Sequence, residues 1–138
     1  MRLLELFSGT GSVGEVFREK GWEVVSVDCV AACNPNLVAD VLTLDFHALG
    51  EFDFVWASPP CTQYSMARSK ANTPRQLEAA DALVRRALEI IDYFRPPPFL
   101  LEDPQTGILK TLDVIATLPW PDVDYITYGA PFRKRTRI

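Results

Sequence analysis

The sequence predicts an α/β fold in which a mixed, mostly parallel sheet is flanked by helices. Three observations carry this. Short apolar runs recur along the chain, and each ends in a polar or carboxylate-bearing turn: 3–7, 23–27, 37–39, 52–57 and 99–101. A glycine-rich turn separates the first run from a helical pattern, and a long amphipathic segment separates the fourth run from the fifth. The 138 residues suffice for one domain with a real core, and 48% of them are hydrophobic.

The first run, Leu3 to Phe7, leads into Ser8-Gly9-Thr10-Gly11-Ser12-Val13-Gly14. The glycines permit a tight turn and close approach of a ligand, and Ser12 is placed to cap a helix running through Val13, Val16 and Phe17 to Gly21. The second strand, from Glu23, ends at Asp28, 19 residues after Gly9. An acid there can accept hydrogen bonds from ribose hydroxyls. Asp40, closing a third strand from Leu37 to Ala39, sits at the same rim and can accept from an adenine amino group, or else cap a helix. Asp45 reads as a cap, and His47 as a surface residue without a catalytic role. This geometry suits two cofactors, a dinucleotide and S-adenosylmethionine (AdoMet).

Phe54, Val55 and Trp56 read as a buried strand that Ser58-Pro59-Pro60 terminates, presenting Cys61 where strand gives way to loop. Ligands of open α/β sheets bind beyond the carboxyl ends of the strands, where a thiol can act as a nucleophile; the plain alternative is a buried strand-end cysteine. The amphipathic helix is expected from about Thr73 to Phe94, with Leu77, Ala80, Leu83, Val84, Ala87, Leu88 and Ile91 on one side. Arg95-Pro96-Pro97-Pro98 stops it, and Phe99-Leu100-Leu101 returns as a strand ending in Glu102. Neighbouring strands lie about 4.8 Å apart, so Glu102 and Cys61 can face one small substrate. Residues 110–127 are expected to hold a short helix and a proline turn, with a strand near Tyr125 to Tyr128.

Composition narrows the functional class. The net charge of −4 argues against nonspecific coating of nucleic acid, yet residues 62–76 and the C-terminus each carry a basic run without an acid. Screening confines exposed charges to about 8 Å, so such patches act locally. The three cysteines, Cys29, Cys33 and Cys61, cannot all pair, which suits a reducing compartment, and one histidine gives a zinc site little support. No run approaches the roughly 18 apolar residues of a membrane span. The expected location is therefore a cytoplasm, with no membrane partner.

The ordered set Leu4-Glu5-Leu6-Phe7-Ser8-Gly9-Thr10-Gly11, Ser58-Pro59-Pro60-Cys61-Thr62-Gln63-Tyr64-Ser65, Leu101-Glu102-Asp103-Pro104 and Tyr128-Gly129-Ala130-Pro131 with Arg135-x-Arg137 resembles the catalytic domain of the cytosine-5 DNA methyltransferases. The resemblance spans nearly the whole chain. It implies a Rossmann-like AdoMet-dependent methyltransferase fold over residues 1–138, its last strands completing the mixed sheet. It also implies AdoMet as cofactor, held by Phe7, Ser8, Gly9, Gly11, Asp28, Asp40 and Pro59. Cys61 is then the nucleophile, Glu102 the group facing the base, and Arg135 and Arg137 the arginine pair. DNA is the implied partner, with the cytosine flipped out or single-stranded, and the segment from Ser65 to Arg75 matches the family's mobile loop.

The sequence also departs from the pattern. Asp103-Pro104 replaces the usual Asn-Val, Phe132 lies where the family usually has glutamine, and no target-recognition domain is visible. The chain is therefore expected to be a minimal catalytic core, a truncated one, or half of a split enzyme whose second chain carries that domain. The alternatives kept open are a catalytically silent AdoMet-binding subunit, the same chemistry on RNA or a free nucleotide, and, more distantly, a dinucleotide-dependent oxidoreductase. Oligomeric state is not readable.

Overall fold

A computed structural model describes residues 1–65, 68, 72–95, 98–104, 108–116, 118–119, 121–129 and 135–137; the side chains of Lys110, Val114, Tyr128, Arg135 and Arg137 lie outside that description. Strands β1 (Arg2–Leu6), β2 (Glu23–Asp28), β3 (Leu37–Val38), β4 (Phe54–Ala57) and β5 (Phe99–Leu101) form one sheet in the order β3-β2-β1-β4-β5, with every pairing parallel. The chain steps outward from β1 to β3, then crosses back to place β4 on the other side of β1. That reversal makes the carboxyl ends of β1 and β4 the expected ligand crevice.

Register explains why these strands are apolar on both faces. Leu3, Glu5, Val24, Ser26, Phe54 and Trp56 share one face, which helix α1 (Ser12–Glu19) covers through Phe17 against Phe54. Leu4, Leu6, Val27, Val55, Ala57 and Leu101 form the other face. They pack in one core with Val84, Ala87, Ile90 and Ile91 of helix α2 (Leu77–Phe94). Each of the leucine, isoleucine and valine side chains contributes about 1.5–3 kcal/mol on leaving water. Parallel strands buried on both faces read as near-continuous hydrophobic runs, the pattern seen in the sequence.

Beyond β5 the chain continues through Glu102 into β6 (Asp103–Pro104). After a short helix α3 (Asp113–Ala116) come β7 (Asp122–Asp124) and β8 (Arg135–Arg137). These three make a small antiparallel sheet in the order β6-β8-β7. The last strands thus pair with the continuation of β5 in a sheet of their own, and the five-stranded sheet is wholly parallel.

Several boundaries differ from expectation, beginning with β1, which spans Arg2–Leu6 instead of Leu3 to Phe7. Helix α1 is capped by Gly11 in the left-handed conformation (φ 74°), with Ser12 inside the helix and no side-chain cap. Strand β3 ends at Val38. Helix α2 begins at Leu77 instead of Thr73, because the backbone of Gln76 and the side chain of Arg75 are bonded to the turn after Cys61. Tyr125–Tyr128 is a 3-10 turn, with Asp124 accepting from the amide of Ile126 and Gly129 (φ 87°) closing it; the strand lies just before, at β7. Among the described residues no helix is long and apolar enough to cross a membrane.

Candidate active site

The turn after β1 is held by short-range bonds. Phe7 takes φ 59°, unusual for a residue with a side chain, and Gly9 and Gly11 follow at φ 50° and 74°. A Cβ at Gly9 or Gly11 would meet nothing within 4 Å, so their role is conformational, and space is left over the loop. Asp28 organises this loop: Oδ2 accepts from the amide of Gly9 (2.8 Å) and Oδ1 from that of Val30 (2.8 Å). Asp40 accepts from the amide of Leu42 (2.9 Å) and closes a turn over 41–43, so it does not cap a helix, its alternative reading. Arg86 of α2 bonds the carbonyls of Val41 and Leu44, fixing the segment after Asp40.

A cavity of about 250 Å³ opens here, lined among others by Phe7, Asp28, Asp40, Ser58, Pro60 and Leu83. Of the expected cofactor residues, Phe7, Asp28 and Asp40 line it directly. Ser8, Gly9 and Gly11 shape the loop beside it, and Pro59 is buried while its neighbours Ser58 and Pro60 provide the wall.

Beneath the loop, Glu5 of β1 is 2% exposed. Its Oε1 accepts from the amide of Gly14 (3.2 Å), and Oε2 has no partner among the described residues. Burial raises its pKa above the usual 4.5, partly offset by the Gly14 amide and by Arg18. Gly14 is required by this packing, since a Cβ there would lie 2.4 Å from Glu5 Oε2. Ser8 Oγ is likewise buried and unpartnered among the described residues.

The second half of the site is assembled from distant segments. Pro59-Pro60 end β4, and Cys61 opens a 3-10 turn, Cys61–Gln63, whose carbonyl accepts from the amides of Tyr64 (3.0 Å) and Ser65 (2.9 Å). Cys61 is partly exposed. Glu102 arrives on the neighbouring strand, its amide bonded to the carbonyl of Ala57 (2.9 Å). The Thr136 hydroxyl of β8 shares its proton between Glu102 Oε1 (2.8 Å) and the carbonyl of Asp103 (3.0 Å). The structure therefore brings the strand ends bearing Cys61 and Glu102 side by side. Arg135 and Arg137 contribute backbone to β8, and their side chains lie outside the described residues, as does part of the segment from Ser65 to Arg75.

Over its whole length, in 153 aligned positions, the chain is 40% identical to a protein of Frog virus 3 (isolate Goorha) named "Probable DNA (cytosine-5)-methyltransferase", and it covers 69% of that protein. The chain belongs to the DNA (cytosine-5)-methyltransferase family. By class this family member is a methyltransferase, with AdoMet as the methyl donor. It is also 26% identical over 125 residues to the type II methyltransferase M.AgeI of Thalassovita gelatinovora, aligning 75% of this chain with 28% of that one. No protein-family model matches it. Among solved structures, the glycopeptide N-methyltransferase MtfA complexed with AdoMet aligns at TM-score 0.48 and 14% identity, over 99% of this chain and 58% of that one. The bifunctional kinase-methyltransferase WbdD aligns at TM-score 0.48 and 15% identity, over 99% and 34%.

Several residues of this candidate site were not singled out by sequence reasoning. Thr136 gave no signal, because its contact spans 34 residues. Gly14 was read as part of the loop, not as the residue that lets α1 pack over Glu5. Tyr64, 3% exposed, donates its hydroxyl to Asp81 of α2 (2.6 Å). Burial first, and then Asp81 and Asp103, push its phenol well above the ordinary range, against an opposing effect of Arg85.

Proposed function

We propose that this chain transfers a methyl group from AdoMet to C5 of cytosine in DNA, through a covalent adduct between Cys61 and C6 of the base. The observation that carries the reading is continuity. The wall of the cofactor cavity formed by Ser58 and Pro60 runs directly into Cys61, and Glu102 is bonded to the strand from which that wall emerges.

AdoMet, when bound, supplies an electrophilic methyl group. Phe7 and Leu83 would pack its adenosyl part, with Asp28 and Asp40 accepting from ribose and adenine. The unpartnered Ser8 Oγ and Glu5 Oε2 leave a hydrogen-bonding deficit beside the loop that a polar ligand or water relieves.

Cytosine C5 is a weak nucleophile, and the thiolate of Cys61 corrects this by adding to C6, which turns the ring into an enamine. Glu102, protonated, donates to N3 and offsets the charge that develops on the ring. One well-placed donor of this kind is worth about a hundredfold or more in rate. Thr136 donates to one carboxyl oxygen of Glu102 and so orients the group. After C5 has gained its methyl group it loses its proton, and the electron pair expels Cys61 from C6 as thiolate. Arg135 and Arg137 are proposed to favour the thiolate and the developing anion. The base must leave the duplex to reach such a crevice.

The test is incubation with methyl-labelled AdoMet and DNA, followed by digestion to nucleosides. Label in 5-methylcytosine supports the proposal. Label in another nucleoside, or label only when RNA replaces DNA, contradicts it.

A further inference from the structure

We infer that Arg75 is a positioning residue that holds the Cys61 turn in register, an inference that rests on the catalytic reading of Cys61. Arg75 is partly buried just before α2. Its guanidinium bonds the carbonyl of Gln63 through Nη1 and that of Ser65 through Nη2 (3.1 Å). Gln63 returns the contact, its Oε1 accepting from the amide of Gln76 (3.0 Å). The two carbonyls flank Tyr64, whose amide and that of Ser65 both bond the carbonyl of Cys61. Tyr64 is further fixed through its hydroxyl to Asp81 and its carbonyl to the amide of Ile108 (3.2 Å).

This arrangement is more than a surface charge. Residues 61–65 have only one 3-10 turn of their own to define them, and such short turns are held poorly by internal bonds. A forked, planar cation bonding two carbonyls two residues apart fixes their separation, which a lysine ammonium with one nitrogen does not do. Arg75 also ties the two ends of the intervening segment together, because residues 63–65 and 75–76 are joined across its base. The basic residue that sequence reading counted toward a surface run therefore has its donors committed inward, to the turn bearing the nucleophile. Displacing that turn by about 1 Å is enough to cost roughly a hundredfold in reaction rate.

The experiment compares the wild-type chain with R75Q and R75K in three measurements. These are AdoMet affinity, the rate of covalent adduct formation with DNA containing 5-fluorocytosine, and amide hydrogen exchange at Tyr64 and Ser65. Both variants should bind AdoMet within about twofold of wild type and form the adduct about ten- to a hundredfold more slowly. Exchange at Tyr64 and Ser65 should be at least about tenfold faster, while Leu4 and Val55 in the central strands stay unchanged. R75K keeps the charge and stem, so it carries the test should R75Q fail to fold. Unaltered exchange at Tyr64 and Ser65, or an unaltered adduct rate in both variants, would overturn the inference. A wild-type chain that forms no adduct, while the variants still speed exchange at those two amides, would overturn the catalytic reading and leave the structural role of Arg75 standing.

Discussion

The two halves of the site are built in different ways. On the side of the β1 loop, the side-chain ties come from the elements that adjoin it in the sequence, β1, α1 and β2. Asp28 reaches Gly9 across 19 residues and Val30 across two, and Glu5 reaches Gly14 across nine. On the base side, the ties to Glu102 and the Cys61 turn come from Ala57 of β4, from Arg75 and Asp81 at the start of α2, and from Thr136 of β8. Local hydrogen bonds prefigure the first half in a glycine-rich loop. The second exists only once β4, β5, α2 and β8 have been brought together. The first should therefore tolerate loss of single side chains on the second without losing its ligand.

The largest effect expected of that separation is at the nucleophile. C61S should lower methyl transfer by more than about a thousandfold and leave AdoMet affinity within about twofold, because a hydroxyl at the end of β4 cannot replace the thiolate. Equal loss of both would show that Cys61 holds the cofactor side together. Next in size, T136V removes the donor to Glu102 and should reduce the turnover rate by about tenfold, again with AdoMet affinity kept. A variant whose affinity for AdoMet fell instead would break the division between halves. Reciprocally, D28A frees the amides of Gly9 and Val30 and should weaken AdoMet binding by about tenfold without unfolding the chain. Unchanged affinity would remove Asp28 from the cofactor site.

The smallest effect concerns Glu5, and it is read through pH. Its folded-state pKa is raised above 4.5 by burial, so the folded state holds this proton more tightly than the unfolded chain does. The stability this gives is present below 4.5 and is lost as pH rises through the raised value. E5Q keeps an acceptor for the amide of Gly14 and removes the titration. Its urea midpoint should therefore gain on that of wild type as pH rises above 4.5. Parallel pH profiles for the two proteins would show that Glu5 does not titrate in this way.

The same contrast explains what the sequence made legible. Strand, paired glycines and a carboxylate 19 residues later form a local pattern, and in the structure Phe7, Asp28 and Asp40 line one cavity. Pro59-Pro60-Cys61 was equally readable, since proline cannot continue a central strand. The start of α2 was not, because the helical periodicity of Thr73 to Gln76 competes with bonds from Arg75 and Gln76 to a turn twelve or thirteen residues earlier. Tyr125–Tyr128 was read as a strand from its aromatic and β-branched residues, whereas Asp124 and Gly129 supply turn chemistry at both its ends. Thr136 is wholly buried at the end of a contact that only tertiary pairing of β6 with β8 creates.

The central claim is that Cys61 bonds covalently to cytosine within a site this chain carries. Intact-mass measurement of the chain with AdoMet and DNA containing 5-fluorocytosine tests it most directly, because a fluorine at C5 cannot leave as a proton and the adduct is trapped. The account predicts a mass increase equal to the DNA strand plus one methyl group, mapped to Cys61 and absent in C61S. Free protein of unchanged mass, with AdoMet bound and DNA present, would contradict it.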